Sequence, residues 1–150
     1  MSPKNFIANH YQFIILALLI VSDQVTKSLV VSQSYPWIRN TGGAWGMGSS
    51  LDYYTTIHGI LTIVIGYVWW QYRHKNYINL GFLLILAGAA ANLIDRIRIS
   101  AVIDFIHPLA WFPWFNLADV YINLGVIIII IDWLVQLRHG SHPFSDSASR

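Results

Sequence analysis

The sequence predicts an α-helical integral membrane protein with four transmembrane helices, and three observations carry that expectation. Of 150 residues, 55% are hydrophobic and only 11% charged, where a soluble domain carries about 25% charged residues to cover its surface. Four runs reach or approach the roughly 20 apolar residues that cross a hydrocarbon core of about 30 Å. Aromatic residues make up 15%, with Trp 7 and Tyr 8, which suits a chain that meets two membrane interfaces. Residues 1–150 therefore read as one polytopic domain.

The first span covers 13–31 and is interrupted by Asp23 and Lys27. Lys4 precedes its apolar core, as in a signal peptide. No small-residue cleavage site follows, so an uncleaved signal anchor is expected. The second span, 57–72, closes in the interfacial run Trp69-Trp70-Gln71-Tyr72. The third, 78–94, ends beyond Gly88-Ala89-Ala90-Ala91, and the fourth, 120–137, is centred on the apolar run 126–131.

If the spans alternate, Lys4, Arg73, Lys75, Arg138 and Arg150 share one side, and Lys27, Arg39, Arg96 and Arg98 share the other. The compact Arg73-His74-Lys75 turn marks the cytoplasmic face. Both termini are then cytoplasmic, and the long connections 32–56 and 95–119 lie outside. The first connection contains Asn40-Thr41-Gly42-Gly43-Ala44-Trp45-Gly46, suited to tight turns or short strands. The second alternates apolar positions through Ile103 and Phe105, then breaks at Pro108 and Pro113. Its Trp111, Phe112, Trp114 and Phe115 suit a segment lying on the bilayer surface. The polar tail, 138–150, is expected to be a disordered cytoplasmic segment.

Several chemistries are excluded by composition. The chain has no cysteine, which removes disulfides, thiol nucleophiles and thiolate metal sites. Its net charge is +2, with no basic run longer than Arg73-His74-Lys75, so nucleic acid is not an expected partner. Six histidines are scattered without ligand spacing, and no metal is expected.

All seven acids are Asp. Asp23, Lys27, Asp95, Arg96, Asp104 and Asp119 map to the outer span ends or outer loops. Ionisable groups at membrane depth default to function or to pairing with one another. Asp23 and Lys27 stand one helical turn apart and can form an ion pair, either structural or in contact with substrate. Asn92, Asp95 and Arg96 project from one face of the third span, with Asp95 expected to pair with Arg96 and tether a loop. Asn116 precedes Asp119 by three residues at the start of the fourth span, where a helix dipole favours a carboxylate. Capping alone would explain Asp119 but not Asp104 within Val102-Ile103-Asp104-Phe105-Ile106. Asp104 and Asp119 are therefore the candidate catalytic pair: two close carboxylates share one proton, so one can accept a proton from water while the other donates to a carbonyl oxygen. Asp132, near the inner end of the fourth span, reads as interfacial or helix-packing. Two other readings stay open at this point. A proton-coupled transporter would relay protons through these carboxylates, and a membrane transferase could hold Mg²⁺ with Asp95, Asp104 and Asp119.

Five ordered blocks resemble the lipoprotein signal peptidase family (signal peptidase II), the membrane aspartic peptidases of bacteria. They are Asp23-Gln24-Val25-Thr26-Lys27, the Asn40 to Gly46 stretch, GAAANLIDR ending at Arg96, Val102-Ile103-Asp104-Phe105, and Phe115-Asn116-Leu117-Ala118-Asp119. The resemblance implies that Asp104 and Asp119 are catalytic and that Asp23, Lys27, Asn40, Asn92, Asp95, Arg96 and Asn116 bind substrate or support the site. It implies diacylglyceryl-prolipoprotein substrates, cut before the lipidated Cys, with membrane lipid as surroundings, no cofactor and a monomeric enzyme in the bacterial cytoplasmic membrane, its site on the extracytoplasmic side. It further implies a small extracytoplasmic β-cradle within 35–49 and a short interfacial helix within 106–115. Ala91 and Trp45 depart from the family's usual Gly and Phe.

Overall fold

The computed structural model describes residues 3–42, 51–73 and 76–138. It contains four helices, α1 (Pro3–Ser32), α2 (Leu51–Tyr72), α3 (Asn76–Ile99) and α4 (Leu117–Arg138), and two short strands, β1 (Ile38–Asn40) and β2 (Val102–Asp104). Among the described residues, three stretches are long and apolar enough to cross a membrane: Tyr11–Ser32, Ile78–Ile99 and Leu117–Arg138. The α2 helix is of similar length but carries His58 and Thr55, Thr56 and Thr62 among its apolar residues, which dilutes its hydropathy. Its outer surface is nonetheless apolar, with Ile63 73% exposed and Ile60, Leu61 and Val64 also exposed.

The α3 helix is the centre of the bundle. Its membrane-length stretch is 56% buried, against 11% for α1 and 6% for α4, so the other helices pack on it and show lipid their outer faces. Small residues allow α4 to approach closely. A Cβ on Gly125 would lie 2.5 Å from the Gly81 carbonyl oxygen, and a Cβ on Gly88 would overlap the Ala118 carbonyl. Toward the other end, Trp69, Leu83 and Leu86 form a core against Leu16, Leu19, Ile65 and Phe82. Phe13 meets Trp69 edge-on at 5.3 Å, and the Trp69 indole donates to Asn79 Oδ1 at 2.9 Å.

A left-handed serine follows the end of both α1 and α3. Ser34 has φ 56°, and Tyr35 N–H donates back to the Val30 carbonyl at 3.2 Å. Ser100 has φ 55° and donates to the Arg96 carbonyl at 2.9 Å. These bonds satisfy carbonyls that each helix end leaves open and turn the chain sharply into the strands. The strands pair antiparallel, with Ile38 opposite Asp104, Arg39 opposite Ile103 and Asn40 opposite Val102. One strand comes from each of the two long connections, so the sheet joins them.

Two expectations need correction. The third helix does not stop near residue 94 but runs to Ile99, because Asp95 and Arg96 find buried partners and need not leave the helix for water. The short interfacial helix expected within 106–115 is instead a hairpin. Ile106 and Phe115 form an antiparallel bridge, His107 stacks on Trp114 at 4.5 Å, and the tip carries Trp111 at 78% exposure. Pro108 and Pro113 lack the N–H groups that a helix would need and explain the change. The Gly43 to Gly46 part of the glycine-rich stretch, including Trp45, and the tail from 139 onward lie outside the described residues, as do His74 and Lys75.

The glycine contacts generate a test. Gly88→Val should force α4 away from α3 and lower the detergent-solubilised protein's stability by about 1–3 kcal/mol, several degrees in Tm. Gly59→Ala should leave Tm nearly unchanged, since its new Cβ would meet only Leu93 Cδ1 at 4.0 Å. Equal thermal shifts in the two variants would contradict this packing.

Candidate active site

The site begins with the way α4 starts. Asn116 caps the helix: its Oδ1 accepts the Asp119 N–H at 3.0 Å, and Asp119 Oδ2 accepts the Asn116 N–H at 3.1 Å. This reciprocal capping box satisfies two backbone donors and holds the Asp119 carboxylate over the positive helix end. Asp23 Oδ1, from α1, accepts the Ala118 N–H at 2.9 Å. Because the Asn116 carbonyl is occupied by a backbone donor, its amide NH₂ must point the other way. It donates to Asp104 Oδ1 at 2.7 Å.

Asp104 reaches this position from β2, and the hairpin after it returns the chain to Asn116. Its second oxygen, Oδ2, accepts from Asn40 Nδ2 on the paired strand at 2.9 Å. Asn40 is oriented by the Gly42 N–H, which donates to its Oδ1 at 3.1 Å. Asp104 is only 2% exposed. Burial pushes its carboxyl up to about 6; the Asn40 donor opposes this, the Asp119 charge adds to it, and Asn116 and Lys27 again oppose.

Beneath the pair lies a buried ionic cluster. The Lys27 ammonium, 2% exposed, contacts Asp23 Oδ2 at 2.8 Å, Asp95 Oδ2 at 2.8 Å and Asn92 Oδ1 at 2.9 Å. Asn92 Nδ2 then donates to Asp119 Oδ1 at 2.9 Å. Gln24 Nε2 donates to Asp95 Oδ1 at 2.9 Å. Arg96 is buried beside the cluster and donates Nη2 to the Gly42 carbonyl at 2.5 Å, while its buried Nε has no acceptor among the described residues.

Asp104 and Asp119 open onto a cleft of about 740 Å³. Asn40, Asn92 and Arg96 also line its polar end, whereas Ile57 and Leu61 of α2 and Val120 and Leu124 of α4 line its apolar walls. A polar pair at the head of an apolar trough can do hydrolytic chemistry on a substrate that is itself largely lipid-soluble.

All nine residues singled out from the sequence fall within this connected cluster. Asp95 differs in partner: it pairs with Lys27 and Gln24 and not with Arg96, and it holds the following connection through its own Oδ2, which accepts the Ile103 N–H at 3.4 Å. Successive residues on a helix point in different directions, so Asp95 and Arg96 serve different neighbours. With its oxygens so engaged, Asp95 does not line the cleft beside Asp104 and Asp119, and a three-carboxylate Mg²⁺ cage is not formed. Sequence reasoning missed Gln24 as a member of the network, and His58 and Tyr54 of α2 as lining residues. His58 carried a readable signal, an ionisable side chain within an apolar span.

Comparisons with known proteins place the chain among relatives of one family. Residues 15–135 match the family described as signal peptidase (SPase) II. A lipoprotein signal peptidase of Bacillus velezensis is 34% identical, covering 81% of this chain and 92% of its own length. One from Bartonella henselae is 41% identical over 73% of this chain and 71% of its own. A bacterial membrane enzyme solved in meso at 2.3 Å superposes with a TM-score of 0.74 at 28% identity, covering 94% of this chain and 93% of that one.

The buried Asp104 gives a pH test. Its carboxyl binds a proton more tightly folded than unfolded, so between the ordinary value of 3.8 and about 6 the folded state holds the extra proton. Stability therefore falls as pH rises through that window. Thermal unfolding of the solubilised protein should show this fall, and Asp104→Asn should flatten it. Parallel pH curves for variant and wild type would contradict the burial argument.

Proposed function

The chain belongs to the signal peptidase II family, and on that premise we propose that Asp104 and Asp119 are the catalytic dyad of a lipoprotein signal peptidase. The enzyme is an aspartic peptidase, a hydrolase of lipoprotein processing embedded in the membrane. The observation that carries the dyad is the bridge through Asn116, which donates to Asp104 from its side chain and to Asp119 from its backbone and turns both carboxyl groups toward one cleft.

In the mechanism, a water molecule lies between the two carboxyl groups. The ionised one takes a proton from water as the oxygen attacks the scissile carbonyl carbon. The protonated one gives its proton to the carbonyl oxygen, producing a neutral tetrahedral gem-diol. Its breakdown returns a proton to the leaving amine and breaks the C–N bond, freeing a signal peptide that ends in a carboxyl group and a lipoprotein that begins with an amine. Arg96 also lines the cleft and sets a positive charge near both carboxyl groups. No cofactor enters these steps, and the monomer supplies every group.

The substrate is a prolipoprotein carrying diacylglyceryl on the cysteine after the scissile bond. Its acyl chains lie in lipid, and the trough between Ile57 and Leu61 of α2 and Val120 and Leu124 of α4 admits its apolar part sideways. α2 serves as the fourth transmembrane helix, supported by its 22-residue length and its exposed apolar face. The site faces outward from the bacterial cytoplasmic membrane, with both termini inside, in keeping with the basic residues Arg73 and Arg138 at the opposite helix ends. Asp23, Asp95, Arg96 and the three asparagines lie away from those ends, toward the outer face. The proton-relay alternative lacks support in family or fold.

Cleavage of a lipid-modified precursor, followed by gel shift, tests the dyad. Asp104→Asn and Asp119→Asn should each lower the rate by at least 10²- to 10⁴-fold, the scale of general acid–base catalysis. The double variant should be scarcely worse than either, because the two act as a unit. Asp132→Asn, whose carboxylate meets Gln136 on the inner part of α4, should keep most activity. Near-normal turnover by either dyad variant would sink the assignment. In the same assay an unlipidated precursor should be cut far more slowly, and equal rates would refute lipid recognition.

Topology has its own check. A cysteine introduced at Gln33 should react with an impermeant maleimide applied to intact cells, whereas one at Arg138 should react only after permeabilisation. The reverse pattern would invert the proposed orientation.

A further inference from the structure

Three asparagines donate to the dyad, and each can do so because something else occupies its carbonyl oxygen. For Asn40 that is the Gly42 N–H at 3.1 Å, and for Asn116 it is the Asp119 N–H at 3.0 Å. Both are backbone donors fixed by the fold. Asn92 differs: its Oδ1 is held by the Lys27 ammonium at 2.9 Å, a side chain, and only then does its Nδ2 face Asp119 Oδ1 at 2.9 Å. An amide has one accepting and one donating end. Turned over, Asn92 would present an oxygen to a carboxylate.

We infer that Lys27 is a positioning residue for the dyad: by holding the Asn92 carbonyl it fixes the amide so that Asn92 donates to Asp119, keeping that carboxylate in the acceptor state a general base requires. This rests on the dyad reading above and goes beyond the family's reaction. Lys27 reaches no substrate. It is buried, and its three N–H donors are matched by Asp23, Asp95 and Asn92. The other charged or titratable groups around the relay are Asp119 on α4, Asp104 on β2, Arg96 on α3, and His58 and Tyr54 on α2 across the cleft.

A charge-balanced variant separates orientation from simple charge. Lys27, Asp23 and Asp95 together carry −1. Lys27→Met combined with Asp95→Asn leaves Asp23 alone, again −1, while removing the group that holds Asn92. Asn92→Leu removes the donor itself and leaves the Lys27 ion pairs in place. The readout is the pH profile of kcat and KM on lipid-modified precursor, with Tm followed in the same detergent.

Both proteins should stay folded, lose about 10- to 100-fold in kcat with little change in KM, as expected for one lost hydrogen bond to a charged group, and shift the acid limb of the profile to higher pH. The sign follows because a carboxylate that loses a donor takes up its proton more readily. Combining all three substitutions should add little, since they break one relay. Wild-type kcat and pH profile in folded Asn92→Leu would overturn the relay even if the charge-balanced protein failed to fold, and collapse of that protein with a normal Asn92→Leu enzyme would make Lys27 structural only. Asp119→Asn assayed beside them separates the two levels: if it stays active, the dyad reading has failed, and if it is inactive while Asn92→Leu is normal, only the relay has failed.

Discussion

One buried ammonium governs the polar end of this molecule. Lys27 projects from α1 into the helix bundle and is met by Asp23 of its own helix and by Asp95 and Asn92 of α3. Asp23 in turn caps the first turn of α4. Three helices are thus joined through charges rather than through apolar packing alone. Burying ions is expensive, and leaving one partner unpaired is more so. Here the expense is offset because each ammonium proton has an acceptor and the acids take further donors from Gln24 and from the α4 backbone.

From that anchor the rest of the site follows by exclusion. Small residues bring α3 and α4 close, so Asn92 can reach Asp119. The αL turn at Ser100 sends the chain into β2, whose pairing with β1 sets Asn40 beside Asp104. The hairpin closed by Ile106 and Phe115 then brings Asn116 back to cap α4 and to touch Asp104. Each amide has its oxygen engaged elsewhere and can offer only N–H to the dyad. The carboxyl groups are therefore held by donors on one side and face the cleft on the other, which leaves room for water and a peptide bond.

Much of this was legible in the sequence because helices have a fixed period. The four-residue step from Asp23 to Lys27, the Asn92, Asp95 and Arg96 cluster, and the Asn116 to Asp119 cap are all local spacings that a helix converts directly into geometry. The contact between Asn40 and Asp104 is of another kind. It spans 64 residues and depends on two three-residue strands finding each other, which no local pattern encodes. The true partner of Asp95 was hidden for the same reason: Lys27 lies on another helix, and the adjacent Arg96 was the nearer but geometrically wrong choice. Resemblance placed a helix where Pro108 and Pro113 enforce a hairpin, so local backbone chemistry outranked the family pattern there.

The central claim is that Asp104 and Asp119 hold one proton between them when no substrate is bound. Infrared spectroscopy of the purified protein across pH reads this directly, since a protonated carboxyl group absorbs apart from a carboxylate. The account predicts a protonated-carboxyl band that persists well above the ordinary Asp value of 3.8, bleaches as pH passes about 6, and is lost or displaced in Asp104→Asn. Absence of that band in the wild-type protein at mildly acidic pH, or its survival unchanged in Asp104→Asn and Asp119→Asn alike, would contradict it.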